Sequence, residues 1–183
     1  YNDINSDRLK FASAAPRRDY KTILEVGCSS GPYTSKLSEV FPSSRILACD
    51  LSASQLVHAQ RNGNALGYAW ELFQADGRFT GLEENSVDLF TSYIILHELP
   101  VDIISDVLNE GFRVLKSGGE LFFGDVAYEN ITRQALNLLA NVDSSAPGSQ
   151  IITAPNGAEF TVEELRSISN KKVKIAIIFY YEN

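Results

Sequence analysis

The stretch Glu25-Val-Gly-Cys-Ser-Ser-Gly31 sets two glycines between an apolar run and a helical pattern. Missing side chains there let backbone approach a ligand closely. The dinucleotide fingerprint G-x-G-x-x-G fails when counted from Gly27, because Ser29 and Pro32 hold its second and third glycine positions. Pro32 also removes a backbone N–H at the helix start, where a pyrophosphate needs donors. The loop reads as one built for a nucleoside without phosphates.

Two further acids stand at corresponding places. Asp50 ends the second apolar run, about the distance past the loop at which a carboxylate reaches a ribose hydroxyl. Asp76 ends the third, where it would accept a hydrogen bond from an adenine amino group. The alternative for each is a turn or capping residue. The histidines are His58, inside a helical pattern, and His97, just past the fourth run. With the scattered acids they give no usual metal-ligand spacing, so no metal is expected. A G-x-S-x-G elbow is absent from the sequence, so a hydrolase triad has no support.

The elements that must carry these residues alternate between strand and helix patterns, the signature of a parallel sheet with crossover helices. The strands are Thr22–Val26, Arg45–Asp50, a run ending Phe73-Gln-Ala-Asp76, Val87–Tyr93 and Glu120–Asp125. Helices are expected from about Tyr33 to Val40, after Ser52-Ala-Ser-Gln55 with its capping-box spacing, and from Asp102 to Val114, ended by Gly118-Gly119. Right-handed crossovers bring all five carboxyl ends to one sheet edge, where open α/β sheets bind ligands. Beyond them come a helical stretch from Ile131 to Asn141, a loop rich in Ser, Pro and Gly, a short helix opened by Thr161-Val-Glu-Glu164, and a strand from Val173 to Tyr181.

At 183 residues and 44% hydrophobic content, one domain with a continuous core is expected. Residues 22–125 carry its motifs and 126–183 its substrate side. Sixteen basic against twenty-three acidic residues give a net charge of -7 without a Lys/Arg run, which argues against a nucleic-acid partner. No apolar run reaches the roughly 20 residues of a membrane helix, and Tyr1–Lys10 has no signal core. The expected location is cytoplasmic, without membrane association. Cys28 and Cys49 lie in or beside strand patterns and read as buried thiols. The sequence holds no methionine, which is compatible with an excised domain or with absent segments, so spacings within tight motifs carry the argument.

These motifs, in order, resemble those of the class I S-adenosylmethionine-dependent methyltransferases, across about Thr22 to Asp125. The matching segments are Leu24 to Gly31, Ala48-Cys-Asp50, Gln74-Ala-Asp76, Ser86–Tyr93 through Leu96-His-Glu-Leu99, and Arg113-Val-Leu-Lys-Ser-Gly-Gly119. The last is similar to the ubiquinone and menaquinone biosynthesis methyltransferases, which usually have Pro where this chain has Ser117. The resemblance implies a doubly wound α/β fold with a mostly parallel sheet, helices on both faces and the last strand or strands antiparallel. It implies S-adenosylmethionine as cofactor: Gly27 and Gly31 flank its methionine part, Glu25 polarises the loop and helps hold the amino end, Asp50 takes the ribose and Asp76 the adenine. Cys28, Leu51, Gly77 and Tyr93 complete the implied cofactor set. Ser29 replaces a middle glycine, a change tolerated if its φ is negative.

A methyl sulfonium is already activated, so alignment and exclusion of water are the main tasks. His97 is the expected general base where the acceptor needs one; the competing role is to cap the turn before Pro100. Tyr93, Asp125, Tyr128 and the loop around Pro147 are expected to face the acceptor, taken to be a small molecule. Two other classes fit the sheet: a cofactor-binding module without catalysis inside a larger protein, and a nicotinamide-dependent oxidoreductase, against which Ser29 and Pro32 argue.

Overall fold

Adjacent residues in each central strand face opposite sides of the sheet, and both are apolar, so each strand is buried twice. Ile23, Ile46, Leu89 and Phe122 pack on one side with Phe11, Tyr33, Leu37 and Trp70. Their neighbours Leu24, Leu47, Phe90 and Phe123 pack on the other with Ile104, Val107 and Leu108. The computed structural model describes residues 4–126, 149–153, 159–166 and 172–180. In chain order these form α1 (Ile4–Ala14), β1 (Thr22–Val26), α2 (Pro32–Val40), β2 (Arg45–Asp50), α3 (Ala53–Leu66), β3 (Glu71–Gln74) and β4 (Val87–Tyr93). A short 3-10 turn (Leu96–Glu98), α4 (Val101–Val114), β5 (Leu115–Val126), β6 (Ser149–Thr153), β7 (Glu159–Arg166) and β8 (Lys172–Tyr180) follow.

The sheet order is β3-β2-β1-β4-β5-β8-β7-β6. Strands β3, β2, β1, β4 and β5 are parallel, so Val26, Asp50, Gln74 and Tyr93 end on one edge. The order reverses between β1 and β4, which makes that point the ligand crevice of a doubly wound sheet. The last strand departs from expectation: β8 runs parallel to β5, and the antiparallel pairs are β7 with β8 and β6 with β7.

Two local readings are corrected, and one helix is added. Thr161-Val-Glu-Glu164 opens no helix but lies within β7, where pairing with β6 and β8 overrides the capping-box signal. Gly118-Gly119 does not end α4, which stops at Val114; Val87 already faces Leu115, and the ladder resumes at Leu89 with Glu120. The residues between bulge outward, with Gly118 supplying a φ of 78°. Helix α1 was not foreseen, because its apolar residues form no clean stripe; Phe11 nonetheless stacks on Phe122 at 4.3 Å. Strand β6 (Ser149–Thr153) falls where a loop was expected and pairs with β7, whereas β1 to β4, α2 and α3 stand where the pattern placed them, and Ser52 caps α3 by accepting from the Gln55 N–H. The helical stretch expected over 131–141, Tyr128 and the loop around Pro147 lie outside the described residues. Both cysteines are buried as expected, and burial pushes the Cys49 thiol up to about 12.

Gly31 caps α2 with a φ of 85°. A Cβ there would lie 2.6 Å from the Trp70 ring, which is fixed by its indole N–H donating to Ser38 Oγ at 2.8 Å. Gly31→Val should therefore cost more than about 1 kcal/mol of stability, read as a lower urea midpoint followed through Trp70, the sequence's single tryptophan. An unchanged midpoint would contradict this packing.

Candidate functional site

A cavity of about 270 Å³ opens at the carboxyl edge. Its walls are Gly27 from the loop after β1, Asp50 and Leu51 from the end of β2, Asp76 and Gly77 after β3, and Ile95, Leu99, Ile103 and Val107 from the approach to α4 and its first turns. Five of the predicted residues thus meet there: Gly27, Asp50, Leu51, Asp76 and Gly77. The apolar wall was missed, although Ile103 and Val107 stand four apart in the periodic run that marked α4, and so on one face of it. The volume lies just under the usual range for small-molecule pockets, about 300–1,000 Å³, and suits a nucleoside.

The loop's amides decide what that nucleoside carries. Gly27 N–H and Cys28 N–H both donate to the Cys49 carbonyl, at 2.8 and 3.1 Å, and Gly31 N–H donates to the Cys28 carbonyl at 2.9 Å. Ser29 N–H donates to Asp50 Oδ2 at 2.8 Å, and Pro32 has no N–H. A phosphate cradle needs such donors pointing at its ligand; here three of them go to the end of β2 and one to the loop itself. Ser29 takes a φ of 49°, so the condition of a negative φ is not met. That conformation costs a non-glycine residue roughly 1–2 kcal/mol, and the bond to Asp50 holds it.

Asp50 is the hub. Besides Ser29, it accepts from Ser52 N–H through Oδ1 at 2.8 Å, and two carboxylate oxygens retain lone pairs for ribose hydroxyls. Asp76 is engaged differently: Arg78 grips both its oxygens, through Nε at 3.1 Å to each and Nη2 at 2.7 Å to Oδ2. That hydrogen-bonded guanidinium holds the Asp76 carboxyl below its ordinary range. Arg78 also lies over the ring of Phe79, a strongly exposed aromatic beside the cavity rim that the sequence reading did not single out.

The remaining predicted residues sit elsewhere. Glu25 is buried beneath the loop and accepts from Thr34 Oγ1 at 2.6 Å. Cys28 is buried, its thiol pushed up by burial. Gly31 makes room for Trp70, so the close approach there is to a side chain of the fold. Tyr93 packs among Phe11 and Tyr33, with ring centroids 5.3 and 5.5 Å away, and is not among the cavity's lining residues.

His97 stands in the turn after β4, beside the cavity and next to the end of β5. Its Nδ1 is 2.8 Å from Asp125 Oδ1 and its Nε2 3.1 Å from Glu98 Oε1. Ile94, a β-branched residue, opens this segment with a φ of 58°. Strain of this kind persists where neighbours over-determine it, and Ile94 N–H is held by the Gly124 carbonyl at 2.6 Å. Among the described residues no group of three metal-ligating side chains occurs.

The methyltransferase-domain family profile matches residues 23–119, just over half of the chain. The chain belongs to this methyltransferase family. The family is that of the class I S-adenosylmethionine-dependent enzymes, and S-adenosylmethionine is its cofactor. The domain is 30% identical over 109 residues to the ubiquinone/menaquinone biosynthesis C-methyltransferase of Cereibacter sphaeroides, covering 58% of this chain and 42% of that protein. It is 23% identical over 125 residues to the ribosomal RNA small subunit methyltransferase C of Buchnera aphidicola, covering 66% and 38%. The chain thus spans about two fifths of these curated relatives. A solved S-adenosylmethionine-dependent methyltransferase from Aquifex aeolicus shares the fold, with a TM-score of 0.66 at 19% identity, covering 87% of this chain and 93% of that one.

Burial is the main reason the Glu25 carboxyl is pushed up to about 8, with the Asp50 charge adding to it and Thr34 and Arg8 opposing. The fold therefore favours the protonated form. Its stabilising contribution is complete below about 4.5, the ordinary value, and is lost as pH rises through about 8. Glu25→Gln should flatten this decline: its urea midpoint at pH 8 should exceed the parent's, while at pH 5 the two should be close. A parent midpoint that rises from pH 5 to 8, matched by the variant, would contradict a buried protonated Glu25.

Proposed function

We propose that this domain transfers a methyl group from S-adenosylmethionine to a small-molecule acceptor by in-line displacement. The observation that carries the reading is the engaged loop. Its N–H groups close on Cys49, Cys28 and Asp50, which suits a cofactor that offers a nucleoside without a pyrophosphate and argues against a nicotinamide dinucleotide.

When bound, S-adenosylmethionine supplies an activated methyl sulfonium. Asp50 binds the ribose hydroxyls with the lone pairs left by Ser29 and Ser52. Leu51, Ile95, Leu99 and Val107 cover the purine with apolar surface and exclude water, and Asp76, steadied by Arg78, stands at the adenine end. Held this way, the cofactor would present its methyl group for attack, and His97 stands in the turn after β4, next to Ile95 and Leu99 of the cavity wall. His97 takes the proton of an acceptor that must lose one. The named activities of the relatives range from quinone biosynthesis to ribosomal RNA, so family alone does not fix the acceptor. A net charge of -7 favours a small molecule over a phosphate backbone. No helix among the described residues is long and apolar enough to cross a membrane.

Asp50→Ala should weaken S-adenosylhomocysteine binding about tenfold to hundredfold, the worth of charged hydrogen bonds to the ribose plus a loosened loop. Calorimetry returning parental affinity would remove Asp50 from the site. Screening phenols, alcohols, amines and thiols for S-adenosylhomocysteine formation identifies the acceptor. With it, His97→Ala should cut turnover by about a hundredfold or more and leave cofactor affinity nearly unchanged. Unchanged turnover would leave alignment alone to explain the reaction.

A further inference from the structure

Asp76, Gly77 and Arg78 line the cavity together, in a turn closed by Phe79 N–H donating to the Asp76 carbonyl at 2.8 Å. Every hydrogen bond that the Asp76 carboxylate accepts comes from Arg78. Oδ1 accepts from the backbone N–H at 2.9 Å and from Nε at 3.1 Å, while Oδ2 accepts from Nε at 3.1 Å and from Nη2 at 2.7 Å. A carboxylate has roughly four lone-pair sites, and here the residue two places on fills them. The same guanidinium holds the carboxyl below its ordinary range, so it has no proton to donate either.

Arg78 is fixed from two sides. Nε and Nη2 face the carboxylate, and its Cζ lies 5.6 Å from the centroid of the Phe79 ring, which is 71% exposed. The Asp76 hydrogen bond first, and after it the charges of Asp76, Asp106 and Asp102, hold the guanidinium above its ordinary range. Among the described residues neither of those two α4 acids forms an ion pair with it, and its Nη1 makes no hydrogen bond. What the turn offers a bound base is therefore a fixed donor, with its acceptor already spent.

We propose that Arg78 reads the base of the cofactor, and reads it as a purine acceptor edge, so that the 6-amino group of adenine is tolerated rather than selected. The inference rests on the reading of the cavity as an S-adenosylmethionine site and deepens it. Adenine presents N7 as an acceptor beside its amino donor, whereas a 6-oxopurine presents two acceptors, N7 and O6. A guanidinium carries donors alone. It matches both atoms of the 6-oxo edge and one atom of the adenine edge, where the amino group meets a second donor. Selection of adenine by the Asp76 carboxylate requires the Asp76–Arg78 pair to open first.

The test is calorimetry of the full chain with S-adenosylhomocysteine and with S-inosylhomocysteine, its 6-oxo counterpart. The parent should bind S-inosylhomocysteine at least as tightly as S-adenosylhomocysteine. Arg78→Ala removes the donor and frees the carboxylate, so the order should reverse, with S-adenosylhomocysteine favoured about tenfold, the worth of one matched base edge. A parent that binds S-adenosylhomocysteine the more tightly of the two, a result that needs no variant to fold, would overturn the proposal by showing that the pair opens and Asp76 takes the amino group. An Arg78→Ala variant, folded by circular dichroism, that keeps the parental order would overturn it as well. A parent that binds neither compound would overturn the S-adenosylmethionine reading of the cavity itself, and the role of Arg78 with it.

Discussion

The hold of the Asp50 carboxylate on two backbone amides is the constraint on which the site depends. Ser29 lies in the loop after β1, and Ser52 caps α3 after β2. A single side chain at the end of β2 therefore ties two neighbouring crossovers to the sheet edge. Ser29 accepts a left-handed backbone because that bond holds it there. With the amides of Gly27 and Cys28 turned onto Cys49 and that of Gly31 onto Cys28, the glycine loop is a closed turn tied to the end of β2, beside the Asp50 carboxylate.

Electrostatics follow from that closure. Glu25 is covered by the loop and by α2, so its carboxyl is pushed toward neutrality, and the carboxylates at the edge are the hydrogen-bonded Asp50 and the Arg78-paired Asp76. On the far side of the cavity, Asp125 at the end of β5 performs for the turn after β4 what Asp50 performs for the loop after β1, accepting from the Leu96 and His97 N–H groups. In both places a strand-end carboxyl gathers backbone donors and organises a connection whose backbone is strained, at Ser29 and at Ile94. The edge thus carries two rigid corners, one beside the nucleoside cavity and one beside His97.

How far this was legible in the sequence depended on whether a signal was local. The alternating runs and the capping box at Ser52 report local preferences, and they placed β1 to β5, α2, α3 and α4. Asp50 and Asp76 were found because strand ends are predictable and right-handed crossovers put them together. The reversed direction of β8 and the conversion of Thr161-Val-Glu-Glu164 into β7 depend on which strand pairs with which, which no local pattern carries. The same holds at the site. Trp70, thirty-nine residues beyond Gly31, fills the space that a side chain at Gly31 would take, a packing demand that no local pattern carries. Tyr93 falls into the aromatic cluster under α1, a helix without a clear apolar stripe. Ile95 and Leu99 were hidden in a run that looked like the continuation of β4.

The central claim, that the end of β2 organises a nucleoside site without a phosphate cradle, is tested most directly by an amide NMR titration of the chain with S-adenosylhomocysteine and, separately, with NADH. Saturable shifts at Ser29, Ser52 and Gly77 with S-adenosylhomocysteine, and none with NADH, are the predicted result. Saturable shifts at the loop with NADH and none with S-adenosylhomocysteine would contradict it.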